Sequence, residues 1–341
     1  DETGVDCGGS ACAPCAVDNI LEGDVTTDVT LDAAIGYELA GAYVVRSGAS
    51  LTIPAGTVIS ATGGTSAYIA VERGAQIFIN GNASAPVVMT SGSSNPAPGD
   101  WGGLVVCGDA PTNKGSNVTS EVADLTYGGS NANDNSGSIR YLRVEYTGAT
   151  FSNDKEFNGV SLFGVGAGTT FEYVQSYQGG DDGIEFFGGT VSGDYLVSIG
   201  SGDDSIDFAD GWQGNGSFWY IKDGAKAGIE GSNNGDDGNA SPVTTTTLSN
   251  ITVVGPVTEG ALYFKEGGGS FTITNFYTDA IDLGVKVKDT DAEAAVRIEN
   301  GDLSINPMQF DNPAAGFEIT DYIGANQSFV VEGPTSGAGN G

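Results

Sequence analysis

Between Asp181 and Asp237 the chain gathers its acids into a belt. Asp181, Asp182 and Glu185 come first, then Asp203, Asp204, Asp207 and Asp210, then Glu230, Asp236 and Asp237. Clustered carboxylates with no imidazole nearby suit a hard cation that prefers oxygen, calcium before zinc or iron. The candidate ligands are Asp182, Glu185, Asp204, Asp207, Asp210 and Glu230. No Asp-x-Asp-x-Asp-Gly loop and no Gly-Gly-x-Gly-x-Asp repeat accompanies them, so the competing reading is a solvated acidic face. Paired aspartates are also the equipment of glycoside hydrolysis, one as acid and one as base. The chain contains no histidine, which excludes Ser-His-Asp and Cys-His nucleophile systems.

Two aromatic residues beside the belt, Trp212 and Tyr263, offer flat apolar faces for sugar rings. Packing at coil corners with a wet polar tip is the alternative for either. Gly166-Ala-Gly-Thr and Gly267-Gly-Gly-Ser read as turns, because no helix pattern follows to cradle a phosphate.

The elements that position these residues repeat. Short apolar-x-apolar strands recur at Val160, Ile184, Ile206, Ile229, Leu262 and Val285, in steps of 24, 22, 23, 33 and 23 residues. The long step fits an insertion spanning Ser232 to Ser241. Earlier, Arg46-Ser-Gly-Ala-Ser-Leu-Thr-Ile is echoed by Glu72-Arg-Gly-Ala-Gln-Ile-Phe-Ile. A period in the twenties made of strands without helix patterns predicts an all-β solenoid, a right-handed parallel β-helix of roughly a dozen coils with capped ends.

Alternation assigns the faces. Val160, Ile184, Ile206, Ile229, Leu262 and Val285 form one inward column, and Leu162, Phe186, Phe208, Phe264 and Val287 a second, interrupted by Gly231. Between them Ser161, Glu185, Asp207, Glu230, Tyr263 and Lys286 are expected to face solvent. Stacked coils would bring Asp182 beside Asp204, and Glu185 beside Asp207 beside Glu230. At a spacing of ~4.8 Å each like-charge pair costs roughly 0.9 kcal/mol in bulk water and ~3.5 kcal/mol at an effective dielectric of 20. A cation, a proton or splayed side chains must relieve that repulsion.

Residues 1–20 carry three of the four cysteines, Cys7, Cys12 and Cys15, and read as a cap or tether. With Cys107 they make an even set, which predicts two disulfides of open pairing in an oxidising compartment. Residues 21–332 form the β-helix, and the Gly-rich residues 333–341 are expected to be a flexible tail.

A net charge of −32, from 44 acidic and 12 basic side chains, argues against nucleic-acid binding, which needs phosphate neutralisation. No apolar run approaches the ~20 residues of a transmembrane helix. The start at Asp1 with small polar residues suggests export by a cleaved signal peptide, to the extracellular space or outer cell surface.

Gly99-Asp-Trp-Gly-Gly-Leu, Ala110-Pro-Thr-Asn-Lys-Gly, Gly179-Gly-Asp-Asp-Gly-Ile-Glu-Phe-Phe-Gly-Gly, Asp207-Phe-Ala-Asp-Gly-Trp and Gly228-Ile-Glu-Gly-Ser-Asn-Asn-Gly are specific enough to compare. Over Thr27 to Asp311 the chain resembles secreted or outer-membrane right-handed parallel β-helix proteins of Bacteroidota. The resemblance implies the fold and an extracellular setting, and no particular chemistry. Three functions stay open: a non-catalytic structural protein that self-associates into filaments or a surface layer, a glycan-binding module, and a calcium-dependent polysaccharide lyase or hydrolase. Against the last, the Asp181-Asp182 and Asp203-Asp204 pairs look like a polygalacturonase, but the Gly-His-Gly element of that family is absent.

Overall fold

The computed structural model describes residues 19–152, 155–288 and 290–339. It is a right-handed parallel β-helix in which 24 strands join one continuous sheet wound along the axis. The strand column that carries the acids starts at Gly23–Val25 and passes through Val160–Phe163, Ile184–Phe187, Ile206–Ala209, Ile229–Ser232 and Leu262–Lys265 to Leu283–Val287. The stacking register is the one alternation predicts: Val160 pairs with Ile184, Ile184 with Ile206, Ile206 with Ile229, Ile229 with Leu262 and Leu262 with Val285.

Both inward columns are buried in one continuous core. Like residues stack on like because a parallel ladder repeats the same pleat position in every coil. The gap at Gly231 is filled from elsewhere. A Cβ there would lie 2.6 Å from the Phe271 ring and 3.0 Å from Phe208, so glycine is what lets these rings close over the position.

One corner of the coil uses backbone that side chains rarely adopt. Tyr141, Tyr173, Tyr195, Phe218, Asn250 and Asn275 have φ of 51°, 57°, 56°, 59°, 59° and 56°. Four of them stack their rings and the last two join through Asn275 Nδ2 donating to Asn250 Oδ1 at 2.5 Å, contacts that offset the strain.

Two features lay beyond the repeat pattern. A helix, Ala292–Asn300, is capped by the Asp291 carboxylate accepting from Ala294 N at 2.8 Å and closed by Gly301 in the left-handed region. Residues 333–339 lie along the outer strands of the β-helix: Asn275 Oδ1 accepts from Ser336 N and Gly337 N, and Thr252 Oγ1 from Ala338 N. Those side-chain acceptors sit on successive coils, so they hold the backbone across strands.

Candidate functional site

The outward column of the acid-bearing sheet is not a solvent face. Ser161, Glu185, Asp207, Glu230 and Tyr263 are all buried, and this corrects the solvent-facing expectation. The cause is the long excursions between Cys107 and Gly137 and between Glu145 and Val160. They fold back over the column and build a second apolar core from Val44, Ala70, Val105, Cys107, Val122, Leu125, Tyr127, Phe157, Phe163 and Phe187. Backbone bonds seat the first excursion: Asn113 N donates to Asp210 O, and Gly189 N to Pro111 O.

Register places Glu185 beside Asp207 and Asp207 beside Glu230, as expected. Carboxylate oxygens of Asp182, Glu185 and Asp207 all lie within 4.8 Å of one another, and those of Asp181, Asp182 and Asp203 form a neighbouring group. The other predicted ligands have different company. Asp204 accepts from Ala227 N at 2.5 Å, while its own N–H donates to Asp182 Oδ1 at 2.7 Å. Glu230 pairs with Lys265 Nζ at 2.8 Å, and Asp210 faces Lys114 Nζ at 3.9 Å. Asp207 Oδ1 is buried without a hydrogen-bond partner among the described residues.

Burial of so many acids shifts their titration. Asp181 is pushed up to about 7 by burial and then by Asp203, and Asp204 to about 9 by burial and then by Glu230. Asp182, Glu185 and Asp207 are held well above the carboxylate range by burial first; Asp207 then acts on the other two, and Glu230 on Asp207. Asp210 reaches about 6 through burial, opposed by Lys114. Burial alone would lower Lys265, yet Glu230 beside it keeps its pKa above the usual value. The column therefore holds either protons or a cation, because uncompensated charge in such a place is too costly.

Asn158, whose Nδ2 donates to Glu185 Oε2 at 2.6 Å, was missed in the sequence. The signal was available, since Asn158, Asp182 and Asp204 each stand two residues before a strand-opening Val160, Ile184 or Ile206. Asp181 and Asp203 belong to the belt but not to the expected ligand set. Lys265, one rung past the acids in sequence register, reaches back to Glu230 through its long side chain.

The two aromatic candidates are corrected. Trp212 is fully buried inside the helix, packed on Phe186 and Phe208 at 4.7 and 5.1 Å, with its Nε1 donating to Val191 O. It exposes no face to a sugar. Tyr263 is buried too, its ring covered by Lys286 at 4.5 Å and Lys265 at 5.3 Å. Among the described residues Cys107 is a buried free thiol, pushed up to about 12 by burial; Cys7, Cys12 and Cys15, its expected partners, lie outside the described residues.

Above the column opens a cleft of about 400 Å³, with Glu185, Asp207, Asp210 and Glu230 on its floor and Lys114 and Lys155 on its walls. A parallel β-helix with an acid-lined cleft on one outer sheet is the class that fold and site define. The pectate-lyase-like β-helix domain family matches residues 23–341, and the chain belongs to that family. Comparison with curated proteins gives no match. Among solved structures, the catalytic domain of a GH87 α-1,3-glucanase in complex with nigerose aligns with a TM-score of 0.27 and 13% identity. The alignment covers 96% of this chain and 71% of that one, and a likeness so slight bears on no chemistry. Among the described residues no helix is long and apolar enough to cross a membrane.

Proposed function

We propose that the chain is a non-catalytic extracellular or cell-surface structural β-helix whose acidic coils bind calcium. One observation carries the reading. Asp182, Glu185 and Asp207 converge within 4.8 Å, buried, and Asp207 leaves an oxygen without a partner. Oxygen-only donors around a buried point suit calcium better than softer metals. A bound cation would supply fixed positive charge that locks neighbouring coils together, while Asn158 holds Glu185 in place and Lys265 neutralises Glu230. Thermal unfolding of chelator-stripped protein with and without added calcium tests it. A rise of several degrees, absent in Asp182→Asn, supports the reading; superposed curves contradict it.

Association end to end, into filaments or a surface layer, has its own support. The strand Glu318–Thr320 pairs only with Leu283–Val287 among the described strands, so its other edge is open, and Ile319, Ile323 and Val331 nearby are exposed. Electron microscopy with calcium and with chelator decides this, and single particles under every condition would end the filament idea.

A second reading rests on the cleft over the acids, which a polysaccharide chain fits. It makes the protein a calcium-dependent polysaccharide lyase or hydrolase. Incubation with acidic and neutral polysaccharides plus calcium, followed by new reducing ends and absorbance from unsaturated sugars, separates it from the structural reading.

A further inference from the structure

A groove of about 490 Å³ runs along a different outer face. Its wall is the aromatic corner. Tyr141, Tyr173, Tyr195 and Phe218 stack coil on coil with centroids 4.4, 4.4 and 4.8 Å apart and planes within 4° of parallel. The left-handed corner turns these rings outward, and Tyr195 and Phe218 remain 39% and 38% exposed. Beside them the next outward column supplies Gln175, Val197 and Tyr220, paired in that order across three coils. Ala338 and Gly339 also line the groove. Acceptors on Asn275 and Thr252 hold the preceding residues there.

The composition of the lining narrows the occupant. In a chain of net charge −32 no charged side chain among the described residues lines this groove. An anionic polymer finds no cation here to pair with, and a basic one is drawn to the acids elsewhere. What remains is the outward edges of the stacked rings, whose faces are taken by one another, with Val197 and the neutral hydrogen-bonding groups of Tyr173, Tyr195, Tyr220 and Gln175. A neutral sugar chain has the matching chemistry, with apolar C–H faces and hydroxyls in one ligand. The row of rings from Tyr173 to Phe218 runs along the helix axis, so an elongated molecule meets the same kind of surface on each coil.

We propose that this groove binds a neutral glycan chain lying along the aromatic row, independently of the acidic column. The test uses the full chain in excess chelator, by affinity electrophoresis and calorimetry with neutral glucan, xylan and mannan oligosaccharides. Polygalacturonate and an uncharged extended peptide serve as comparison probes. At least one neutral glycan is expected to bind. Tyr195→Ala and Tyr220→Ala should each weaken it about tenfold, and Asp207→Asn should leave it unchanged. Gln175→Glu, which keeps the ring stack and adds a negative charge, should weaken it too, and this covers the case in which an aromatic variant fails to fold. The proposal is overturned if no neutral glycan binds at millimolar concentration, if only polygalacturonate or only the peptide binds, or if affinity survives in Gln175→Glu.

Discussion

A single outward column shows two opposite solutions to the same burial. Val44, Ala70 and Val105 occupy it in the amino-terminal coils; Ser161, Glu185, Asp207 and Glu230 occupy it further along, paired rung on rung. The same excursions after Cys107 and Glu145 cover both stretches. Over the first they bring Val122, Leu125 and Phe157 and complete an apolar core. Over the second they leave a cleft, with lysines at its edge and an orphan oxygen at its floor. The apolar stretch stabilises by removing hydrocarbon from water, at roughly 25 cal/mol per Å². The acidic stretch works against folding unless something positive enters it. The difference separates a part of the wall that holds the loops down from a part whose buried acids call for a proton or a cation.

The comparison breaks most sharply if an acid is moved into the apolar stretch. Val105→Asp buries a carboxylate in the apolar cluster that holds Val44, Ala70, Cys107 and Phe163. Chemical denaturation should show a loss of about 4 kcal/mol or more, or no folded protein. A loss below about 1 kcal/mol would mean that the excursions are loosely seated. Lys265→Met removes the partner at 2.8 Å from the buried Glu230, and a loss of about 3 kcal/mol is expected without calcium.

Proton linkage gives the next effect. The folded-state values of Asp181 and Asp204, about 7 and about 9, lie above the ordinary 3.8. The folded chain therefore holds more protons than the unfolded chain between these limits. The stability these groups contribute is complete below pH ~4 and is lost as pH rises through about 7 and on to about 9. Melting in chelator from pH 5 to 9 should fall continuously, and calcium should restore most of the loss at the alkaline end. A flat profile would place the acids in water. Smallest is Asp207→Asn, which keeps the shape and removes a carboxyl whose ionisation burial and Glu230 oppose. Without calcium it should melt a few degrees higher than the parent at pH 8, and its response to calcium should disappear.

Much of this was legible in the residues. Inward columns such as Ile184, Ile206 and Ile229 follow from a period of two within strands and a step in the twenties between them. The same register aligns Glu185, Asp207 and Glu230. What escaped was the covering. The excursions between Cys107 and Gly137 and between Glu145 and Val160 do not repeat, so nothing in their pattern announces that they fold over the acids. Trp212 was misjudged for a related reason. An indole beside charged residues suggests a wet surface, but the turn after Asp210, itself at φ 57°, sends the ring inward onto Phe208. The aromatic corner was invisible as a unit, since a run such as Tyr141, Tyr173, Tyr195 and Phe218 becomes a row only once the corner backbone is known.

Calcium titration of chelator-stripped protein by calorimetry at pH 7.5, in two buffers of different ionisation enthalpy, tests the acidic column most directly. Because protons and cation compete for the same buried oxygens, the account predicts saturable binding with a heat that differs between the buffers, as released protons are taken up. Absence of saturable binding up to millimolar calcium, or binding with identical heats in both buffers, would contradict it.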